Sequence, residues 1–300
     1  MVQTPIDASS RGSVLEPHQY GRPSAIEDAS NRYLIHPLSD LVVTVAHRMG
    51  LSPNTVSFMG LACGFLAAFL YYDLPQQVPV IGGFVAMVAW HVLDGADGRL
   101  ARLTRRSSAF GRVIDGICDH LVFGAVYIAL ALHLMETGYS AHVWWLVVGA
   151  GLSHAVQAAG YEERRQKYQR RLKGLTRATT EQDMLVVNGK KSTLAALYDA
   201  AQKLVSGNRS VLDDRLRNLQ TSPNGKRYAA HIISQTVPMV RAWGVLNANN
   251  RTFLIFAFSL FGQPAFYFAF ELVIFNLVLV ILMIAEWRQE KALAAQSLPN

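Results

Sequence analysis

The chain has 300 residues, 51% of them hydrophobic, with a mean hydropathy of +0.19 and a formal net charge of +7 from 28 basic and 21 acidic side chains. A soluble chain of this length would form one or two domains, but the apolar excess is the composition of a membrane protein. The basic balance does not require nucleic acid, because a membrane protein facing an anionic cytoplasmic leaflet carries the same charge, and nucleic-acid binding is set aside.

The first 32 residues are polar and hold no apolar stretch of signal-peptide type, so 1–32 is expected to be a loosely attached cytoplasmic tail. In "PLSDLVVTVAHRM" (37–49), Leu38, Leu41, Val42, Val45 and Met49 recur at helical spacing, with Asp40, Thr44, His47 and Arg48 largely opposite. That pattern predicts an amphipathic helix lying on the inner membrane surface. "LSPN" (51–54) then supplies a turn, with Asn54 as candidate cap for the helix that follows.

Six apolar runs follow, over 54–72, 79–100, 111–135, 142–160, 250–262 and 265–287. A hydrocarbon core of about 30 Å needs roughly 20 helical residues, which every run but the fifth approaches. The fifth is barely half a span between Arg251 and Pro264. With both termini inside, the outer connections at 73–77, 135–141 and 262–264 contain no Lys or Arg, which is the positive-inside pattern. Cys63 and Cys118 fall within spans and read as small packing residues.

Between the fourth and fifth runs lies a polar segment of about ninety residues, too long for a bare loop and expected to fold in part. Its opening, "YEERRQKYQRRLKG" (161–174), continues the fourth helix as a solvated, charged stretch. Residues 192–220 read as helical and "TSPNGKRY" (221–228) as a turn, while the sequons at Asn208 and Asn250 are chance matches on the cytoplasmic side. The fold class is thus an all-α integral membrane protein. It has six transmembrane helices, an N-terminal interfacial amphipathic helix, and a cytoplasmic, mostly helical insert between helices 4 and 5. The expected divisions are a tail (1–32), the interfacial helix with helices 1–4 and the active site (33–160), the insert (161–249), helices 5–6 (250–288) and a C-terminal cytoplasmic tail (289–300).

The chemistry concentrates in "HVLDGADGRLARLTRRSSAFGRVIDGICDH" (91–120). Asp94 and Asp97 share a helix face at i,i+3, and Asp115 and Asp119 do so at i,i+4. With a turn centred near Arg106, Asp97 and Asp115 are each nine residues from it, and Asp94 and Asp119 twelve and thirteen, so antiparallel helices would bring all four together. Four carboxylates at the lip of a bilayer repel one another and are costly to desolvate unless cations neutralise them. All-oxygen ligation favours Mg²⁺, Mn²⁺ or Ca²⁺, and Mg²⁺ pairs carboxylates with substrate phosphates. Gly98 and Ala101 keep the acidic face low, and Arg102 offers a fork of donors to a phosphate; close helix packing and a snorkelling cation are their plainer reading.

"DGADGRLARLTRRSSAFGRVIDGICD" resembles the signature of the CDP-alcohol phosphotransferases (CDP-alcohol phosphatidyltransferases): Asp-x-x-Asp-Gly-x-x-Ala-Arg, eight residues, then Gly-x-x-x-Asp-x-x-x-Asp. Asp94, Asp97, Gly98, Ala101, Arg102, Gly111, Asp115 and Asp119 fill every fixed position, and "LSPNTVS" (51–57) resembles the segment that opens the first span in that family. The resemblance implies a metal-dependent transferase of phospholipid biosynthesis that moves a phosphoalcohol unit from a CDP-linked donor to an alcohol acceptor, releasing CMP. It implies two divalent ions, Mg²⁺ or Mn²⁺, bound by Asp94, Asp97, Asp115 and Asp119, with Asp119 also serving as general base. Pro53, Asn54, Gly98, Ala101, Arg102 and Gly111 would shape the donor site. It also implies membrane lipids as partners, a cytoplasmic active site in a cell membrane (the inner membrane if bacterial), and a tendency to homodimerise.

One reading takes CDP-diacylglycerol as donor and inositol, inositol phosphate, glycerol phosphate or serine as acceptor. Another takes a CDP-linked amino alcohol and a lipid alcohol. A divalent-cation transporter is the alternative from a different class, although the outer halves of the second and third spans are almost wholly apolar. Weaker candidates are His91, His154, Gln157, Glu271 and Asn276 at membrane depth, with interior hydrogen bonding as the alternative, and Arg112, Arg164, Arg165 and Arg251 as cations for an anionic acceptor. His120 is given no role.

Overall fold

The computed structural model describes residues 24–74, 76–106, 109–174, 186–187, 190–191, 210–220 and 225–296, with the backbone alone for 109–117, 186–187, 190–191 and 220. A 3₁₀ turn (Ser24–Ile26) and a π-helical turn (Asn31–Ile35) lead into α1 (His36–Arg48). Then come α2 (Pro53–Tyr72), α3 (Gln77–Leu103), α4 (Ala109–Glu136) and α5 (Val143–Lys173). A two-residue hairpin, β1 (Val186–Val187) with β2 (Lys190–Lys191), precedes α6 (Val211–Gln220), α7 (Gly225–Gln235) and α8 (Val237–Trp243). The chain closes with α9 (Ala248–Leu260), α10 (Pro264–Phe270), a π-helical turn (Glu271–Phe275) and α11 (Asn276–Ala295).

Among the described residues, four helices are long and apolar enough to cross a membrane: Pro53–Tyr72, Gln77–Leu103, Cys118–Glu136 and the continuous helix Pro264–Ala295. The expected fourth and fifth spans, which fall on α5 and α9, are not among these four. α5 is long but carries Ser153, His154 and Gln157 in its first half. α9 has 13 residues, about 20 Å at 1.5 Å per residue, and falls short of the hydrocarbon thickness.

The sequence places the start of α2 correctly but not its cap. Proline lacks an N–H and so occupies the first helical position, and Ser52 before it accepts from the Thr55 amide at 3.1 Å. Asn54 is consequently exposed and without a capping role. α2, α3 and α4 share the main core, built around Tyr71, Met87, Trp90, Val122, Phe123 and Leu130. Gly64 lets α2 and α4 close up, since a methyl there would collide with both γ-methyls of Val122. Large apolar side chains such as Phe58, Phe69, Val78, Trp145, Val273 and Ile281 point outward, as a lipid-facing surface requires.

α1 packs on α3 through a narrow face. Ser39 is fully buried and donates to the Val92 carbonyl at 2.8 Å, opposite Gly95, where a Cβ would lie 2.8 Å from the Ser39 hydroxyl. Arg99 pairs with Asp40. Leu38, Leu41, Val45 and Met49, the stripe read from the sequence, are exposed.

Two expectations for the polar regions are corrected. Residues 24–31 are packed: Ile26 is buried with Tyr168 and Leu212, Tyr161 donates to Asp28, and Arg241 donates to the Ala25 carbonyl at 2.6 Å. The stretch 161–173 is helical as expected, but most of its charges are not solvated. Glu163, Arg164, Arg165, Lys167, Arg170 and Arg171 are all buried. Arg164 bonds Glu286 at 2.8 Å; Lys167 bonds Glu286 at 2.8 Å and Glu290 at 2.9 Å; Arg170 bonds Glu163 at 2.7 Å. Arg171 bonds Asp213 at 2.6 Å and Glu290 at 2.7 Å. Burial alone would lower the Arg171 pKa, but Glu290 and Asp213 outweigh it and hold the guanidinium above its usual range. The ions tie α5 to α11 and to α6 of the insert. Of the helical reading for 192–220, 211–220 is confirmed as α6 and 192–209 lies outside the described residues. Of the turn expected over 221–228, residues 225–228 instead open α7 and 221–224 lie outside the described residues; the missing Cβ of Gly225 lets the chain press against the Leu219 carbonyl.

Candidate active site

The C-terminal end of α3 carries the acidic pair. Asp94 is half-buried and Asp97 is 5% exposed. Ser57, on α2, donates a short hydrogen bond to Oδ2 of Asp97. Gly60, one turn further along α2, faces the same segment; a Cβ there would lie 3.4 Å from Leu93 Cβ and 3.9 Å from the Asp94 amide nitrogen. The seam between α2 and α3 is thus close-packed across the acidic turn, with Val56, Ala96 and Leu100 buried together beside it.

On the other side of the acidic pair the surface is low. Among the described residues, a methyl on Gly98 would meet only the Arg102 guanidinium, at 3.6 Å, which fits the expectation that a ligand can approach the helix there. Arg102 is exposed and Ala101 half-buried. α3 ends in a tight turn in which Arg106 donates its amide to the Ala101 carbonyl at 2.8 Å and Arg105 takes a left-handed conformation, φ 56°. Arg102, Arg105 and Arg106 are therefore all exposed at the end of the acidic helix. Pro53 and Asn54 open α2, half-buried and exposed respectively.

Asp119 lies on α4 and is half-buried. Gly111, Arg112 and Asp115 fall on the part of α4 described by backbone alone, so the meeting of all four carboxylates lies outside the described side chains. Among the described residues no three acids, histidines or cysteines gather closely enough to hold a metal ion. The donor set nonetheless fits a hard cation. Its members are carboxylates, and Asp97 is a nearly buried acid with one oxygen already fixed by a hydroxyl, the setting in which a carboxylate needs cationic company.

The polar residues at membrane depth form a separate network. His91 is buried, with Nε2 2.8 Å from Thr252 Oγ1, so it ties α3 to α9 as an interior histidine. Arg251 and Glu271 are both fully buried and paired at 3.3 Å; Arg251 also donates to Gln157 Oε1 at 2.6 Å. Gln157 donates to Asn276 at 2.9 Å, which donates to Ser153 at 2.9 Å, while Tyr127 bonds His154 at 3.2 Å and Tyr267 at 2.6 Å. Interhelical bonding accounts for all of them. Arg164, Arg165 and Arg251 are engaged by Glu286, Glu162 and Glu271, so the acceptor-pocket role considered for them has no support in their geometry.

Ser57 was missed by sequence reasoning although "LSPNTVS" contains it. Its signal is positional: four residues after Pro53, it lies on the face of α2 that meets α3.

Residues 50–187 match the family model of the CDP-alcohol phosphatidyltransferases. The chain is 30% identical over 111 residues to a phosphatidylinositol phosphate synthase of Mycobacteroides abscessus, covering 37% of this chain and 44% of that protein. It is 31% identical over 96 residues to an archaetidylinositol phosphate synthase of Pyrococcus horikoshii (32% and 48%). It is 32% identical over 83 residues to a bifunctional IPC transferase and DIPP synthase of Aquifex aeolicus (28% and 18%). The matched region spans less than half the length of each of these relatives.

Proposed function

From a chain that carries a CDP-alcohol phosphatidyltransferase domain over residues 50–187, we propose a membrane transferase that moves a phosphatidyl group from CDP-diacylglycerol to the hydroxyl of a small polar alcohol and releases CMP. The observation that carries it is the acidic turn of α3: Asp94 and Asp97 on one face, Asp97 held by Ser57, beside a Gly98 surface that is low among the described residues and ends in exposed arginines.

In this reading Asp94, Asp97, Asp115 and Asp119 would hold two divalent ions, Mg²⁺ or Mn²⁺, which when bound would supply positive charge to offset that of the donor diphosphate. Gly98 leaves room for the diphosphate against α3, and Arg102 grips it with a guanidinium fork. Pro53, Asn54, Ala101 and Gly111 shape the nucleotide end of the site. Asp119 accepts the proton of the acceptor hydroxyl as its oxygen attacks phosphorus; the new P–O bond forms while the bond to CMP breaks, and CMP departs with the electron pair. The site lies on the cytoplasmic side, where a soluble headgroup meets a lipid-anchored donor.

For the acceptor, the names of the Mycobacteroides and Pyrococcus relatives put an inositol phosphate first, ahead of inositol, glycerol phosphate and serine. Arg105 and Arg106, exposed at the end of the acidic helix, are placed to meet an anionic acceptor, whereas Arg164 and Arg251 are buried in ion pairs. Mass spectrometry of the lipid formed from CDP-diacylglycerol and each acceptor tests the choice. A phosphatidyl ester of inositol phosphate is expected; product only from a CDP-linked amino alcohol and a lipid alcohol would reverse donor and acceptor.

A further inference from the structure

We infer that Ser57 is a positioning residue for the acidic site, setting the rotation of the Asp97 carboxylate so that it is presented to a divalent cation. The inference rests on the transferase reading for its activity arm and on the geometry of α2 and α3 for its binding arm.

Three observations on the α2–α3 seam carry it. Ser57 donates to Oδ2 of Asp97, which is 5% exposed, and a nearly buried carboxylate depends on each donor it has. The position of Ser57 is fixed from below, because Ser52 caps α2 through the Thr55 amide and Pro53 pre-sets its first turn. It is fixed from the side by Gly60, whose missing Cβ lets α2 close against Leu93 and the Asp94 backbone, and by Val56 against Ala96 and Leu100. The hydroxyl has one proton and two acceptors in reach, Asp97 and the Pro53 carbonyl at 3.2 Å. The ionised acceptor takes it, since charge-assisted hydrogen bonds are roughly twice as strong as neutral ones. Metal-binding carboxylates and imidazoles are ordinarily oriented by such outer partners, whose loss lowers metal affinity by about 10- to 100-fold.

The test is Mn²⁺ binding to the full chain in detergent, without donor, followed by the loss of the free-ion electron paramagnetic resonance signal. Ser57→Ala, Ser57→Cys and Ser57→Thr are compared with wild type and with Asp97→Asn, and each is checked for thermal unfolding. Ser57→Ala is expected to weaken Mn²⁺ binding about tenfold at an unchanged unfolding temperature. Ser57→Thr is expected to restore it, and Ser57→Cys, which keeps the volume with a poor donor, to follow alanine should the alanine protein not fold. In the activity arm Ser57→Ala should need correspondingly more Mg²⁺ for half-maximal CMP release. Wild-type Mn²⁺ affinity in both Ser57→Ala and Ser57→Cys, or failure of Ser57→Thr to rescue, would overturn the inference. Mn²⁺ binding that follows this pattern in a protein that releases no CMP would sink the transferase reading and leave the positioning role standing; a wild-type chain that binds no Mn²⁺ would overturn both.

Discussion

Replacing Glu286 tests whether the insert is held by buried ions. Its two oxygens accept from Arg164 and Lys167, each at 2.8 Å, and its side chain is 10% exposed against 4% for Arg164 and 11% for Lys167. In Glu286→Ala, Lys167 keeps Glu290 at 2.9 Å, while Arg164 keeps the Gly160 carbonyl at 3.3 Å and the Trp243 ring at 4.0 Å but loses this carboxylate. Taking one partner from a buried pair costs about 3–5 kcal/mol, against about 0–1 kcal/mol for a surface pair. Replacing both partners by apolar residues, as in Arg164→Met with Glu286→Leu, removes the buried charge and should recover more than half of that loss. Unfolding of the purified protein in mixed micelles, followed by tryptophan fluorescence because Trp243 lies under Arg164, measures the single changes and the pair in one cycle. A Glu286→Ala protein within about 0.5 kcal/mol of wild type would show that the cluster is solvated and that the burial argument is wrong.

Other consequences are as specific. Gly64→Ala forces a methyl into Val122 and should destabilise by about 1–3 kcal/mol in the same unfolding assay. Gly98→Ala would meet only Arg102 among the described residues, so it should leave stability unchanged and instead weaken CDP-diacylglycerol binding in an equilibrium assay by narrowing that face. Asp119→Asn should keep cytidine-nucleotide binding while turnover falls by about 100-fold or more, as loss of a general base requires; normal turnover would remove its assignment. Deletion of 175–245 strips Leu212, Leu216, Ile232 and Val240 from the cluster shared with Tyr168 and Leu293, so it should yield unfolded or aggregated protein by size-exclusion chromatography rather than a folded, inactive enzyme.

The membrane helices and the acidic segment were legible because they are local and periodic: a run of apolar residues declares its length, and Asp94 and Asp97 declare their shared face by spacing alone. The charged continuation of α5 was not. On a single helix Arg164, Lys167 and Arg171 look like a solvated face, since the acids that bury them, Glu286 and Glu290, stand 119 to 123 residues away. The same distance hid the docking of residues 24–31 and the His91–Thr252 bond, which spans 161 residues. Ser57 was hidden differently: its neighbours were recognisable as a motif, but a hydroxyl's partner is set by the register of two packed helices, which no single helix displays.

The central claim is tested most directly by CMP release from CDP-diacylglycerol by the purified chain in detergent with Mg²⁺ or Mn²⁺, challenged with inositol phosphate, inositol, glycerol phosphate and serine in turn. The account predicts release that depends on both the divalent ion and one acceptor and disappears in Asp119→Asn. Divalent-ion flux through proteoliposomes with no CMP release under any acceptor would contradict it and establish the acidic turn as part of an ion pathway.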